Sequence, residues 1–327
     1  TGWVDRSLLN DSVHPSDAGH RAIAAKLAPV VASHLTSAVP SDAATADMCA
    51  ERAVAGDAVT ADRADAVTAD RADAAQAAAL PKVTVWMAGD STMMKASACP
   101  IGWGNQFAPY FTGDVSIVNS AIGGRSIQTW MYEPNVGTSK NASGECVVNP
   151  ATYSARWKAM LNSSSGMKAG DYLFIQFGIN DSDSACPRHV GTARFKELLG
   201  VMTQAALDRG ARPVLVTPVA AIMCSGSTVK PNRGFVNETV SVAAAYGVPV
   251  VDLNKLSLAL YASLRLCPDN GDYTKGPAGA FFCNDHTHFE ADGARQIAGL
   301  VATALRDQRI GLASYLASNP LPPDRTA

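Results

Sequence analysis

The sequence predicts an α/β fold: a three-layer α/β/α sandwich on a parallel sheet of about five strands. Two observations carry the prediction. Between residues 81 and 308, short runs rich in Val, Ile and Phe alternate with longer amphipathic or Ala-rich runs. That alternation is the pattern of a parallel sheet with helices on both faces. The first short run, VTVWMAGDST at 83–92, is apolar without polar alternation and stops at Gly89-Asp90-Ser91-Thr92. Continuous apolarity suits a strand buried on both faces. A glycine at its end permits the bend that would lift Ser91 to the carboxyl edge of the sheet.

Each element follows from the same reading. Strands are expected at 83–88, at 115–121 (VSIVNSA), at 171–177 (DYLFIQF), at 212–218 (RPVLVTP) and at 248–252 (VPVVD). Helices are expected at 193–209, 233–246 and 292–307, each after one of the strands or near the end of the series. In sheets of this kind, sites form beyond the carboxyl ends of the strands. Ser91, Gly124, Asn180 and the 285–288 loop all fall after a strand or before a helix, where such a site would be built.

Composition narrows the function classes. The hydrophobic share, 47%, supplies a core over most of the 327 residues. A formal net charge of -2 gives no reason to expect nucleic acid or an anionic membrane surface as a partner. No apolar run reaches the ~18 residues that a membrane span needs.

Seven cysteines stand at 49, 99, 146, 186, 224, 267 and 283, and none forms a C-x-x-C pair, which argues against zinc or a redox dithiol. The last six lie in loop-like segments, so three disulfides in an extracellular protein are expected. Near-neighbour pairing would join Cys99 to Cys146, Cys186 to Cys224 and Cys267 to Cys283, although spacing does not fix connectivity. Cys49 is left over and is available to bridge two chains in a dimer.

The chain ahead of residue 81 has a different character. AVTADRAD occurs at 58–65 and again at 66–73. An octad this rich in Ala and charge has little apolar surface to bury, so 39–80 is expected to be a linker. Residues 1–38 hold Asp11-Ser12-Val13-His14, followed by SDAGHRAIAAKLAPVVASHL. That repeats the plan of Asp285-His286-Thr287-His288, followed by EADGARQIAGLVATAL. The first segment therefore reads as the closing end of a second domain of the same kind, with no evident serine partner for Asp11 and His14. The main domain is expected over 81–308, with 309–327 as a tail.

The GDST block, the glycine in NSAIGGRS, the GIND block and the DHTH block occur in the order used by SGNH/GDSL hydrolases. GDSTM, the GWG at 102–104, NSAIGGRS and DHTHF resemble rhamnogalacturonan acetylesterases and their relatives within that superfamily. The resemblance covers roughly 81–307 and implies a flavodoxin-like sheet.

It further implies Ser91 as nucleophile, His288 as general base and Asp285 as the carboxylate that orients His288. The D-x-x-H spacing selects His288 over His286, which is read as structural. The resemblance assigns the oxyanion hole to the backbone N–H groups of Ser91 and Gly124 and to the side-chain amide of Asn180. No metal and no cofactor are implied. A catalytic zinc would want three protein ligands, and outside this loop only His189 is left in the main domain.

Substrate contacts are expected from Arg125 and Trp130, after the Gly124 loop, and from Trp103, which equally suits a place in the core. The expected activity is hydrolysis of acetyl esters on a polysaccharide through an acyl-enzyme intermediate. Two other readings remain: a short-chain lipase or general carboxylesterase of the same superfamily, and a carbohydrate-binding protein without turnover.

Overall fold

The computed structural model describes residues 80–268 and 271–318. The repeat linker, the Asp11/His14 segment, Cys49 and the last residues of the tail lie outside the described residues.

Five parallel strands form the central sheet: β1 (Val83–Gly89), β2 (Val115–Asn119), β3 (Tyr172–Gln176), β4 (Arg212–Val216) and β5 (Val250–Val251). Their order is β2-β1-β3-β4-β5, with Val83 beside Val115, Val85 beside Tyr172, Tyr172 beside Arg212 and Leu215 beside Val250. This is the flavodoxin-like order, in which the strand sequence reverses between β1 and β3. The sequence expectation of a parallel five-stranded α/β sheet is met. The fifth strand is shorter than 248–252, since only two residues pair.

Seven helices connect and cover the sheet among the described residues: α1 (Ile127–Tyr132), α2 (Ala155–Met160), α3 (Thr192–Leu207), α4 (Val236–Tyr246), α5 (Leu253–Ser263), α6 (Gly276–Phe281) and α7 (Ala291–Asp307). Alternation along the strands divides the core in two. Val85 and Met87 of β1, Tyr172 and Phe174 of β3, and Val214 and Val216 of β4 face one layer. There they meet Tyr261 of α5 and Ile297, Val301 and Leu305 of α7. Trp86, Ala88, Leu173, Ile175 and Leu215 face the other layer. They meet Trp130 of α1, Trp157 of α2, Phe195 and Leu198 of α3, and Val242 of α4. With period two on the strands and both faces covered, every inner strand must be apolar throughout.

Local chemistry sets the helix ends. Ser126, Ser154 and Asp252 cap α1, α2 and α5 by accepting the N–H of Thr129, Trp157 and Lys255 respectively. α7 spaces its buried side chains as 294, 297, 298, 301, 302, 304 and 305, the stripe of a helix with one face against the core.

The chain past 308 continues as part of the same body. Leu312 and Tyr315 are buried, Phe111 bridges to Leu316, and the Tyr315 hydroxyl donates to the Pro81 carbonyl (2.8 Å). No helix among the described residues is long and apolar enough to cross a membrane.

The six cysteines of this body are all paired, as expected, but the partners differ from the near-neighbour scheme. The bonds join Cys99 to Cys283, Cys146 to Cys186 and Cys224 to Cys267. The parallel sheet explains the difference. Every crossover returns the chain to the same edge, so loops far apart in sequence become neighbours at the carboxyl ends of the strands.

Candidate active site

Ser91 leaves β1 at the point where the strand order reverses, and it is almost wholly buried, with 6% exposure. The turn that carries it rests on a series of buried hydrogen bonds. The Thr92 N–H and hydroxyl donate to one Asp90 carboxylate oxygen (2.9 and 2.7 Å). The Gln176 amide donates to the Thr92 hydroxyl oxygen (2.6 Å), and the Trp103 indole N–H donates to the Gln176 carbonyl oxygen (2.8 Å). Trp103 is therefore not a substrate wall. It is fully buried, edge-on to Phe107 and Phe174, and holds the serine turn from beneath. Burial pushes the Asp90 carboxyl up, against the opposing effects of the Thr92 bonds and of the Arg233 and His288 charges.

His288 reaches Ser91 from the loop ahead of α7. Its Nε2 lies 2.7 Å from the Ser91 Oγ, and its Nδ1 bonds an Asp285 carboxylate oxygen. An ionised carboxylate only accepts, so Nδ1 carries the proton and Nε2 is left to accept from the serine hydroxyl. The other Asp285 oxygen accepts the N–H of Thr287 (3.0 Å) and of His288 (2.9 Å). Burial acts to raise the Asp285 carboxyl, but the bonds from the His288 ring and from these two N–H groups outweigh it. They hold the group below the usual carboxylate range.

The D-x-x-H loop is fixed at both ends. The Cys283 N–H donates to the His288 carbonyl (2.8 Å), Phe282 and Phe289 pair as an antiparallel bridge, and Phe289 pairs again with Ile101. The disulfide from Cys283 to Cys99 links the loop to the segment just after Ser91. From below, Arg233 donates to the Thr287 hydroxyl oxygen (3.2 Å) and to the Val219 carbonyl (3.1 Å). Burial lowers the Arg233 guanidinium, partly offset by the charges of Asp90 and Asp285. Nothing in the sequence around Arg233 marks it for this place.

The candidate oxyanion donors besides Ser91 lie on two loops that a hydrogen bond joins. Gly124 has φ +73°, and a side chain there would project into open space, so the glycine leaves its N–H unscreened. Gly123 lies against the serine, since a Cβ at 123 would stand 3.6 Å from the Ser91 Cβ. Asn180 opens the short turn after β3, and its side-chain amide donates to the Arg125 carbonyl (3.1 Å). That bond ties it to the peptide next to Gly124 and leaves its second N–H free of this duty.

Asp181, beside it, is buried and accepts the N–H of Ile127 and of Gly178, both at 2.8 Å. It joins the Gly124 loop to the end of β3, and burial pushes its carboxyl up to about 7. Asp181 stands inside the GIND block yet attracted no expectation.

One further expected substrate contact, Trp130, needs correction. Trp130 is fully buried, and its indole N–H donates to the Ser120 carbonyl (2.9 Å), because it lies on the inward face of α1. Arg125 is a third exposed, but its guanidinium is engaged by both Glu133 carboxylate oxygens (3.1 and 2.7 Å) and by the Gly123 carbonyl (2.9 Å).

A five-stranded flavodoxin-like sheet with a serine, an imidazole and a carboxylate bonded in series at its switch point is the framework of an ester-bond hydrolase. The chain belongs to the GDSL-like lipase/acylhydrolase family, whose model matches residues 85–301.

The rhamnogalacturonan acetylesterase RhgT of Bacillus subtilis is 27% identical over 252 residues, covering 72% of this chain and 95% of that protein. A rhamnogalacturonan acetylesterase of Emericella nidulans is 28% identical over 238 residues, covering 66% of this chain and 81% of that protein. The crystal structure of Bacillus subtilis YxiM matches with a TM-score of 0.54 at 24% identity, over 71% of this chain and 58% of that one, a likeness of fold.

Proposed function

We propose that this protein is a secreted serine esterase that removes acetyl groups from a polysaccharide through an acyl-enzyme intermediate. The observation that carries the reading is the 2.7 Å contact between the Ser91 Oγ and the His288 Nε2, with Asp285 on the opposite ring nitrogen. The names of the relatives, rhamnogalacturonan acetylesterases over most of their length, supply the substrate class. Three disulfides suit an oxidising compartment.

In acylation, the Ser91 Oγ attacks the acetyl carbonyl while its proton passes to the His288 Nε2. Negative charge collects on the former carbonyl oxygen, where the N–H groups of Ser91 and Gly124 and the Asn180 amide receive it. The ionised Asp285 stabilises the imidazolium without taking its proton. Collapse of the tetrahedral species breaks the C–O bond to the sugar, and His288 returns the proton to the departing alkoxide. Water repeats the sequence on the acetyl-serine, releasing acetate and restoring Ser91.

The test is acetate release from acetylated rhamnogalacturonan, xylan and chitin, with Ser91→Ala as control. Turnover on one polymer that disappears by several orders of magnitude in Ser91→Ala is the expected result. Hydrolysis of p-nitrophenyl acetate with no release from any polymer would move the substrate to small or lipid esters. A Ser91→Ala variant that keeps a tenth of the wild-type rate would end the serine mechanism.

A further inference from the structure

An aromatic pair beside the D-x-x-H loop has no part in the chemistry above. His286 adopts φ +67°, a left-handed conformation that most side chains avoid and that often marks a functional position. Its carbonyl accepts the Ile222 N–H (2.8 Å), and its side chain is exposed. The imidazole stacks on Tyr273, with ring centroids 4.3 Å apart and planes tilted by 43°.

Tyr273 is positioned independently of His286. Its hydroxyl oxygen accepts the Cys224 N–H (3.1 Å), in the short hairpin of Cys224–Ser225 and Thr228–Val229 that the Cys224–Cys267 disulfide holds. Met223, at the same hairpin, has 52% exposure, the largest among the exposed large apolar side chains of the described residues. Two paired rings are thus fixed by a disulfide, a backbone bond and a backbone twist, with the exposed Met223 next in the chain to the Cys224 that bonds Tyr273.

Its position relative to the reaction follows from chain geometry. His286 is two residues from His288, so their Cα atoms are within about 7.6 Å of one another. That is comparable to the span of one sugar ring beyond the scissile ester.

We propose that Tyr273 and His286, with Met223 at their edge, form a subsite on which a pyranose ring of the polymer stacks. The proposal rests on the polysaccharide reading given above. A rigid aromatic surface matches the apolar C–H face of a sugar, and little side-chain entropy is lost on contact. Two aromatic rings suit the ring face itself and leave hydroxyl recognition to other groups.

The experiment compares Tyr273→Ala, Tyr273→Phe and His286→Asn with the unmutated enzyme. Asparagine tolerates the left-handed backbone but offers no ring. Two readouts are taken: kcat and KM on p-nitrophenyl acetate, and binding of the same variants in a Ser91→Ala background to acetylated polymer by affinity electrophoresis.

The expected result is a fivefold or greater loss of polymer binding for Tyr273→Ala and His286→Asn, with Tyr273→Phe close to the parent. Turnover of the small ester should stay within twofold for all three. Equal polymer binding in every variant overturns the subsite while leaving the polysaccharide activity standing. Parallel loss of small-ester turnover overturns it as well, because the pair would then serve only to shape the His288 loop. A Ser91→Ala parent that binds no acetylated polymer, with an active enzyme that releases no acetate from it, removes both proposals together.

Discussion

Replacing Asp285 with asparagine exchanges one oxygen for an amide nitrogen and keeps the shape of the side chain. In the structure one carboxylate oxygen accepts two backbone N–H groups, from Thr287 and His288, and the other accepts the His288 ring N–H. The amide oxygen should stay with the two backbone donors. The opposite orientation would face NH2 against both, and each unmet group costs about 1–3 kcal/mol.

The NH2 then points at Nδ1, which has to give up its proton and accept. The ring proton moves to Nε2, directed at the Ser91 Oγ, and the base is gone. A wrong tautomer of this kind lowers kcat by about 10⁴, or about 5 kcal/mol in the barrier. Stability should change little, because the two backbone bonds persist. Steady-state kinetics on p-nitrophenyl acetate and a thermal melt measure both. A kcat within tenfold of wild type, at unchanged melting temperature, would refute the reasoning.

Three other outcomes are expected. Asn180→Ala should cost 10²–10³ in kcat with KM nearly unchanged, as for one oxyanion donor; a loss under fivefold on the same ester would remove Asn180 from that role. Burial pushes the Asp181 carboxyl up to about 7 from its ordinary 3.8, so the native state holds its proton over that window. Its contribution to stability is therefore full below the lower value and is lost as pH rises through 7, by up to about 4 kcal/mol. Urea titrations at pH 5 and pH 8 should show a decline that Asp181→Asn flattens, and identical slopes would count against the assignment. Replacing Cys99 and Cys283 by serine opens a closure of 184 residues, worth up to about 5 kcal/mol on chain-entropy grounds. Melting temperature and kcat should fall together, and an unchanged melt would show that the non-covalent ties of the loop suffice.

The sheet was legible in the sequence because its inner strands are buried on both faces and so are apolar without a break. β1, β3 and β4 begin within a residue of their expected starts for that reason. α5 was not legible, since it begins immediately after β5 and Asp252 serves as its cap without any intervening turn residues. The blocks bearing Ser91, Asp285 and His288 were legible as motifs, and the structure brings those three side chains together.

What sequence could not supply was direction. A tryptophan in or near a motif faces inward or outward according to packing from distant segments, and both Trp103 and Trp130 turned inward. Arg233 touches the D-x-x-H loop across 54 positions of sequence, a separation that no local pattern encodes. The cysteine partners were hidden for the same reason: two of the three bonds join consecutive cysteines, but which ones is set by Cys99, which pairs with Cys283 across 184 positions.

The hydrogen bond between Ser91 and His288 spans 197 positions. A ribosome adding about 5–20 residues per second needs roughly 10–40 s to travel from one to the other. Throughout that interval the nascent chain carries its serine turn without His288, the base proposed for it. The disulfide that locks the two segments together has to wait for the same stretch to emerge and meet an oxidant. Under the mechanism proposed above, hydrolytic capacity is thus delayed until synthesis has passed residue 288, and a chain cut short before that point would leave the esters around it untouched.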